Sequence, residues 1–256
     1  MATNAHSFAE HGRLLLCAGA ILIAGAGVAS AQTAPIMGVY LRGDIGAGIG
    51  ENVTFTDVNP TAPNCDLCGA SFPASANTSV IGGGGIGYRF SPMLRAEVTV
   101  EDLSSFHVNG TSTQPGNPSG GADLSALVVM ANGYLDLNGL TPGAYGPIQP
   151  YLVAGVGASR NDAGSFSAKF TTGPLAGVAL SESGATRTSF AWGLGIGAGY
   201  PLSPNLTLDF TYKYLDLGEL RTGSTVTIFG GAVPVTASKS GDFNVHTLTA
   251  SLRIGF

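Results

Sequence analysis

The chain has 256 residues, with 11 Lys and Arg against 16 Asp and Glu, and charged residues make up only 11% of it. That share is under half of the roughly 25% usual for soluble globular domains, and the net charge of −5 excludes a nucleic-acid binder recruited by electrostatics. The apolar share, 44%, is ordinary, and few charges among many small polar residues is not the highly charged composition of a disordered chain.

In chain order, the first element is an apolar block from Leu14 to Val28 that follows Arg13 and precedes Ala29-Ser30-Ala31. It is too short and glycine-rich for a spanning helix, which needs about 20 apolar residues. A basic start, an apolar stretch and a small-residue cleavage site predict a secretory signal over residues 1–31, leaving 32–256 as the mature chain. Leu16 rather than a small residue precedes Cys17, which argues against a lipobox. After Gln32 no stretch approaches about 18 consecutive apolar residues, so a membrane crossing would have to be made by strands.

Successive side chains of a strand point to opposite faces, so a strand between lipid and a polar lumen alternates over about ten residues. Leu94, Ala96, Val98 and Val100 stand opposite Arg95, Glu97, Thr99 and Glu101. Leu206, Leu208, Phe210, Tyr212 and Tyr214 stand opposite Thr207, Asp209, Thr211 and Lys213, and Leu248 to Phe256 repeats the pattern. Gly193, Gly195, Gly197 and Gly199 occupy one face of another strand, as do glycines of Gly82–Gly87, which implies an interior crowded by neighbouring side chains. Gly82–Gly87 also fits a dinucleotide-binding fingerprint, but the Tyr88-Arg89-Phe90-Ser91-Pro92 that follows ends a strand where that motif needs a helix.

Eight segments result: 37–51, 79–90, 94–104, 123–136, 148–160, 188–201, 205–217 and 243–256. Connections at 91–93, 137–147 and 202–204 are short or moderate, whereas 52–78, 105–122, 161–187 and 218–242 are long and polar. The reading is all-β: an eight-stranded antiparallel up-and-down transmembrane β-barrel with short periplasmic turns and four long extracellular loops. Gly87-Tyr88-x-x-Ser91-Pro92-x-Leu94 recurs as Gly199-Tyr200-x-x-Ser203-Pro204-x-Leu206, so two four-stranded halves make the ring. On the fourth segment either face could meet lipid; Asn132 and Asp136 favour an inward even face, while Tyr134 would suit an outward girdle.

A Lys or Arg on the lipid face costs about 2–4 kcal/mol at mid-membrane, so parity sends the strand charges inward. Arg42, Asp44, Arg89, Arg95, Glu97, Glu101, Asp209, Lys213 and Arg253, with Asp136, are expected to form an ion-pair network filling the lumen, because buried charges persist when paired. Tyr88, Phe90, Tyr200 and Phe256 would form an aromatic girdle at the periplasmic rim. His107 and His246 near the outer rim could each contribute to a metal or haem contact but, on separate loops, read as plain polar rim residues, and no His–Ser spacing marks an enzyme; no cofactor is expected. Cys65 and Cys68, in an oxidising compartment and without a second ligand pair, are expected to form a loop disulfide.

The segments Tyr40-Leu41-Arg42-Gly43-Asp44-Ile45-Gly46, Gly85-Ile86-Gly87-Tyr88-Arg89-Phe90, Ala96-Glu97, Pro150-Tyr151, Trp192-Gly193, Tyr212-Lys213-Tyr214 and Leu252-Arg253-Ile254-Gly255-Phe256 resemble, in order, those of the eight-stranded outer-membrane β-barrel family of opacity-type and OmpA-like surface proteins of Gram-negative bacteria. The resemblance implies an outer-membrane location, lipopolysaccharide as surroundings, recognition of Phe256 by the barrel-assembly machinery, and host or cell-surface ligands for the loops. The resemblance is to the barrel part, and the cell-wall-binding domain of OmpA itself is not expected here. A structural and surface-interaction role is expected. The alternatives are a narrow channel or small-ligand barrel, an outer-membrane lipid-modifying or proteolytic enzyme, and a soluble lipocalin-type barrel with inverted faces.

Overall fold

The computed structural model describes residues 37–57, 71–113, 115–228, 231–234 and 239–256. The leader 1–31 and the Cys65–Cys68 pair lie outside the described residues. Fourteen strands follow one another: β1 (Gly38–Gly50), β2 (Val53–Asp57), β3 (Phe72–Ala76), β4 (Thr78–Arg89), β5 (Leu94–Thr111), β6 (Ser119–Asp136), β7 (Gln149–Ala163), β8 (Phe166–Lys169), β9 (Ala179–Glu182), β10 (Ala185–Ser203), β11 (Leu206–Arg221), β12 (Thr225–Ile228), β13 (Gly231–Pro234) and β14 (Lys239–Gly255). Among the described residues the helical element is one 3-10 turn, Leu137–Gly139, and no helix is long and apolar enough to cross a membrane.

The eight long strands close a ring in the order β1, β4, β5, β6, β7, β10, β11, β14, each antiparallel to its neighbour, and β14 returns to β1 with Tyr40 opposite Gly255 and Gly50 opposite Val245. A closed ring leaves these strands no free edge, which lets every central backbone group find a partner in a bilayer. Each of the eight segments read from the sequence falls on one ring strand. The turns 90–93, 137–148 and 204–205 and the ends Gly38 and Gly255 lie at one rim. At the opposite rim the six short strands extend the sheet beyond the ring, β6 continuing through β8, β9 and β12 to β13.

The outer connections differ from the long loops expected. The hairpin of β5 and β6 runs to Thr111 and Ser119, so most of the supposed loop 105–122 is wall. A register shift between Leu103 and Phe106 explains the difference: the buried positions change from odd (Glu101, Leu103) to even (Phe106, Val108), which in the sequence looks like the end of alternation. A second shift on β11, between Asp216 and Glu219, passes through Gly218 at φ +71, in the region that favours glycine.

Inward glycines seat large neighbours. A Cβ on Gly87 would lie inside the ring of Tyr40, its partner on β1, and one on Gly197 inside that of Tyr151 on β7. Gly195 likewise makes room for Lys213, and Gly199 for Asp209. The two halves also repeat in their lumen-facing residues: Glu97, Thr99, Glu101 and Leu103 on β5 recur as Asp209, Thr211, Lys213 and Leu215 on β11, an offset of 112. All eight are buried, and β5 and β11 are the third and seventh strands of the ring and therefore stand opposite one another.

Candidate functional site

The interior is layered. Towards the short-turn rim, Arg42, Asp44, Arg89, Arg95, Glu97, Glu101, Asp136, Asp209, Lys213 and Arg253 are all buried, five cations facing five carboxylates. Six of them form one chain of contacts. Asp136 receives Arg89 Nη1 at 2.7 Å and Arg95 Nε at 3.2 Å; Glu97 receives Arg95 Nη1 at 3.0 Å and Arg42 Nη1 at 3.1 Å; Arg42 Nε donates to Asp44 at 2.5 Å. Arg253 and Asp209 pair more loosely, with 3.2 Å between Nε and Oδ2. Lys213 Nζ meets Glu101 Oε1 at 2.8 Å, and because their strands stand opposite, this bond spans the lumen.

Three tyrosines complete the layer: Tyr40, Tyr151 and Tyr134, the last on the strand whose lipid-facing side the sequence leaves open. Tyr40 and Tyr134 donate to the two oxygens of Glu97 at 2.8 and 2.6 Å. The Arg95 guanidinium lies 3.9 Å from the Tyr134 ring centroid and 4.6 Å from that of Tyr151, whose hydroxyl bonds Thr211 at 2.7 Å. Tyr134 is thus inside, at 3% exposure, rather than in an outward girdle. For two of them the letters carry a signal, Tyr40 sharing the parity of Arg42 and Tyr134 that of Asp136, whereas Tyr151 has no charged neighbour of its parity on β7.

The charges occupy only part of the lumen. Towards the long-loop rim the inward positions turn apolar: Ile81, Leu103, Phe106, Leu124, Leu215, Leu217, Phe243 and Val245 are fully buried in one cluster, and Phe106 meets Phe243 edge-to-face at 5.4 Å. An eight-stranded ring is just wide enough for side chains to fill it. Here the filling is an ionic layer crossed by Lys213–Glu101 with an apolar layer above it.

The outer wall carries exposed apolar side chains from β1 to β14, among them Leu41, Ile45, Ile86, Val98, Leu152, Ile196, Phe210 and Leu248. On β6 the outward face is Leu127 and Val129, and the even residues from Leu124 to Asp136 point inward. Tyr88, Phe90, Tyr200 and Phe256 are exposed at the short-turn ends of their strands, and the Tyr88 and Phe90 rings lie 4.9 Å apart. At the other edge of the apolar band, Trp192 Nε1 donates to Asp216 at 3.1 Å. His246 is held between the Tyr212 hydroxyl at 2.7 Å and Glu51 at 3.0 Å. His107 contacts Asp123 at 2.7 Å, and neither histidine belongs to a metal-binding group among the described residues.

Beyond the band, Glu219 takes Arg187 at 2.9 Å and Arg221 at 3.1 Å, while Lys239 pairs with Glu182 at 3.0 Å. Burial opposes ionisation of Glu219, but hydrogen bonds from Arg221 and Ser240 and the charge of both guanidiniums outweigh it and hold the carboxyl below its ordinary range. Between β6, β8, β9 and β12 lies a groove of about 500 Å³, lined by Ser119, Ser167, Lys169, Ser181 and Thr227 with Ala168, Ala179 and Leu180.

Comparison with known proteins agrees with this architecture. The outer membrane protein beta-barrel domain family matches residues 17–256, and the chain belongs to that family. It is 26% identical over 223 residues to the outer membrane protein PagN of Salmonella typhimurium, covering 80% of this chain and 83% of that one. It is 27% identical over 205 residues to a protein of Rickettsia conorii named as a candidate adhesin, covering 78% and 77%. Among solved structures, the outer membrane protein OprG of Pseudomonas aeruginosa shares the fold at a TM-score of 0.53 and 14% identity, over 87% of this chain and 98% of that one. The protein is an outer-membrane β-barrel of a Gram-negative bacterium.

Proposed function

We propose that this outer-membrane barrel is a non-enzymatic surface protein that presents its extracellular end to ligands on other cells or host surfaces, while its sealed interior holds the scaffold rigid and contributes to envelope integrity. One observation carries the reading: the lumen is bridged from wall to wall by Lys213 and Glu101 at 2.8 Å, with an apolar layer above, so among the described residues side chains fill the space a solute would have to cross. What remains for interaction is the outer end, where the sheet stands clear of the apolar band. Relatives that include a candidate adhesin support a role in attachment.

Under this reading the leader is removed after Ala31, lipopolysaccharide surrounds the apolar band, and the C-terminal strand ending at Phe256 is the segment the assembly machinery recognises. The test compares bacteria expressing the full-length protein with bacteria lacking it, scoring attachment to epithelial monolayers and to abiotic surfaces. In parallel, the refolded chain is placed in planar bilayers. Raised attachment without stepwise conductance is expected. Ohmic channels with unchanged attachment would replace the proposal with a pore.

A further inference from the structure

The described part of the chain holds ten Lys and Arg side chains, and eight of them, Arg42, Arg89, Arg95, Arg187, Lys213, Arg221, Lys239 and Arg253, are in ion pairs. Of the two left, Arg160 stands exposed on the outer wall and Lys169 lines the extracellular groove. Among the described residues no carboxylate lines that groove. Lys169 is exposed, and an ammonium with no carboxylate partner beside it in a concave site attracts an anion.

The strand registers set the rest of the site. Ser167 on β8 stands opposite Ser181 on β9, and Ser181 opposite Thr227 on β12, so three hydroxyls form a row across adjacent strands. Gly121, opposite Ser167 on β6, adds no side chain at the end of the row. Lys169 lies two residues along β8 from Ser167, hence on the same face, flanked by Ser119 and Ala179. Neighbouring strands are about 4.8 Å apart, so the hydroxyls are spaced roughly as are substituents across a pyranose ring. Ser119 is engaged with Gly110 and Thr111, whereas the side-chain oxygens of Ser167, Ser181 and Thr227 have no hydrogen-bond partner within the described chain. The groove volume of about 500 Å³ is in the range of small-molecule sites.

We propose that this groove binds a carboxylated saccharide, the sugar carboxylate on Lys169 and the sugar hydroxyls on the row Ser167, Ser181 and Thr227. An acidic peptide fits less well. The apolar lining is two alanines and one leucine, too little for side-chain pockets, and β9 is paired on both edges, so it offers no free strand to extend. The inference rests on the surface-interaction reading above and gives that reading a ligand class.

The test uses the full chain refolded in lipid nanodiscs, with heat-modifiable gel migration as the check that each variant is folded. Binding of 3′-sialyllactose, lactose and a short polyglutamate peptide is measured by saturation-transfer NMR and titration. Sialyllactose is expected to bind in the millimolar range and lactose at least tenfold more weakly. Lys169→Gln should abolish that preference, Lys169→Arg should keep most of it, and Ser181→Ala should weaken sialyllactose by several-fold. Equal response to sialyllactose and lactose, an unchanged Lys169→Gln, or preferential binding of polyglutamate would each overturn the proposal. Attachment assays on the same variants separate the two ideas: attachment that survives Lys169→Gln sinks the saccharide site and leaves the surface role standing, whereas no attachment by the unaltered protein sinks the role itself.

Discussion

Replacing Lys213 by Met tests the sealed interior directly. Glu101 is 1% exposed and Lys213 2%, and they meet at 2.8 Å across the lumen. With an effective dielectric of about 20, unit charges at that separation attract by roughly 6 kcal/mol. Much of this is offset by the cost of taking both groups out of water, so the net value of the intact pair is small. Lys213→Met does not remove that small net value alone; it strands the Glu101 carboxylate in the interior, and breaking a buried pair in this way costs about 3–5 kcal/mol. The double variant Glu101→Leu/Lys213→Met removes both charges and should recover most of the loss. Urea titration of the barrel in lipid vesicles gives the comparison, read by the fluorescence of Trp192, the single tryptophan of the chain, which leaves the lipid edge on unfolding. A single variant costing less than about 1 kcal/mol would mean that water reaches Glu101, and the sealed lumen would be refuted; so would a double variant worse than the two singles summed.

Other consequences follow from the same geometry. Gly197→Ala drives a methyl into the Tyr151 ring and should cost about 1–3 kcal/mol by overpacking, whereas Gly43→Ala, which meets nothing within 4 Å, should be neutral in the same titration. Val98→Arg places a cation on the exposed face of β5 and should cost about 2–4 kcal/mol in vesicles, a penalty that is absent if that face borders water. Glu219 ionises more readily folded than unfolded, where a carboxyl titrates near about 4.3. Its contribution is therefore complete above that pH and is lost as pH falls through the lower folded value. Protection of the Gly218–Arg221 amides, taken relative to their intrinsic exchange rates at each pH, should fall as pH drops below about 4.3 in the native chain, and Glu219→Gln should flatten that dependence.

The ring was legible because lipid outside and charge inside give the strongest contrast a strand can carry, as along Leu94–Glu101 and Leu206–Tyr214. It faded where both faces are apolar. On β6 the even residues Leu124, Ala126, Val128 and Met130 line the apolar layer of the lumen while Leu127 and Val129 face outward, so the period of two is present in space and nearly invisible in letters. The register shift at Leu103–Phe106 hid the upper half of one hairpin in the same way. The inward charges could be assigned by parity, but which charge meets which could not, since Glu101 and Lys213 lie 112 residues apart. The extracellular groove was out of reach for a further reason: its hydroxyls and ammonium come from four strands whose short Ser- and Ala-containing segments carry no contrast of their own.

The repeat across the ring has a consequence for how such a barrel can arise. Two identical four-stranded halves related by a twofold axis would set the residue at this position against its own copy, glutamate against glutamate or lysine against lysine, a repulsion across a narrow space. Only once both halves sit on one polypeptide can the copies diverge to opposite sign, as Glu101 and Lys213 have. The bond that locks the centre is thus one that a symmetric homodimer could never form, and it ties the integrity of the barrel to the covalent joining of its halves.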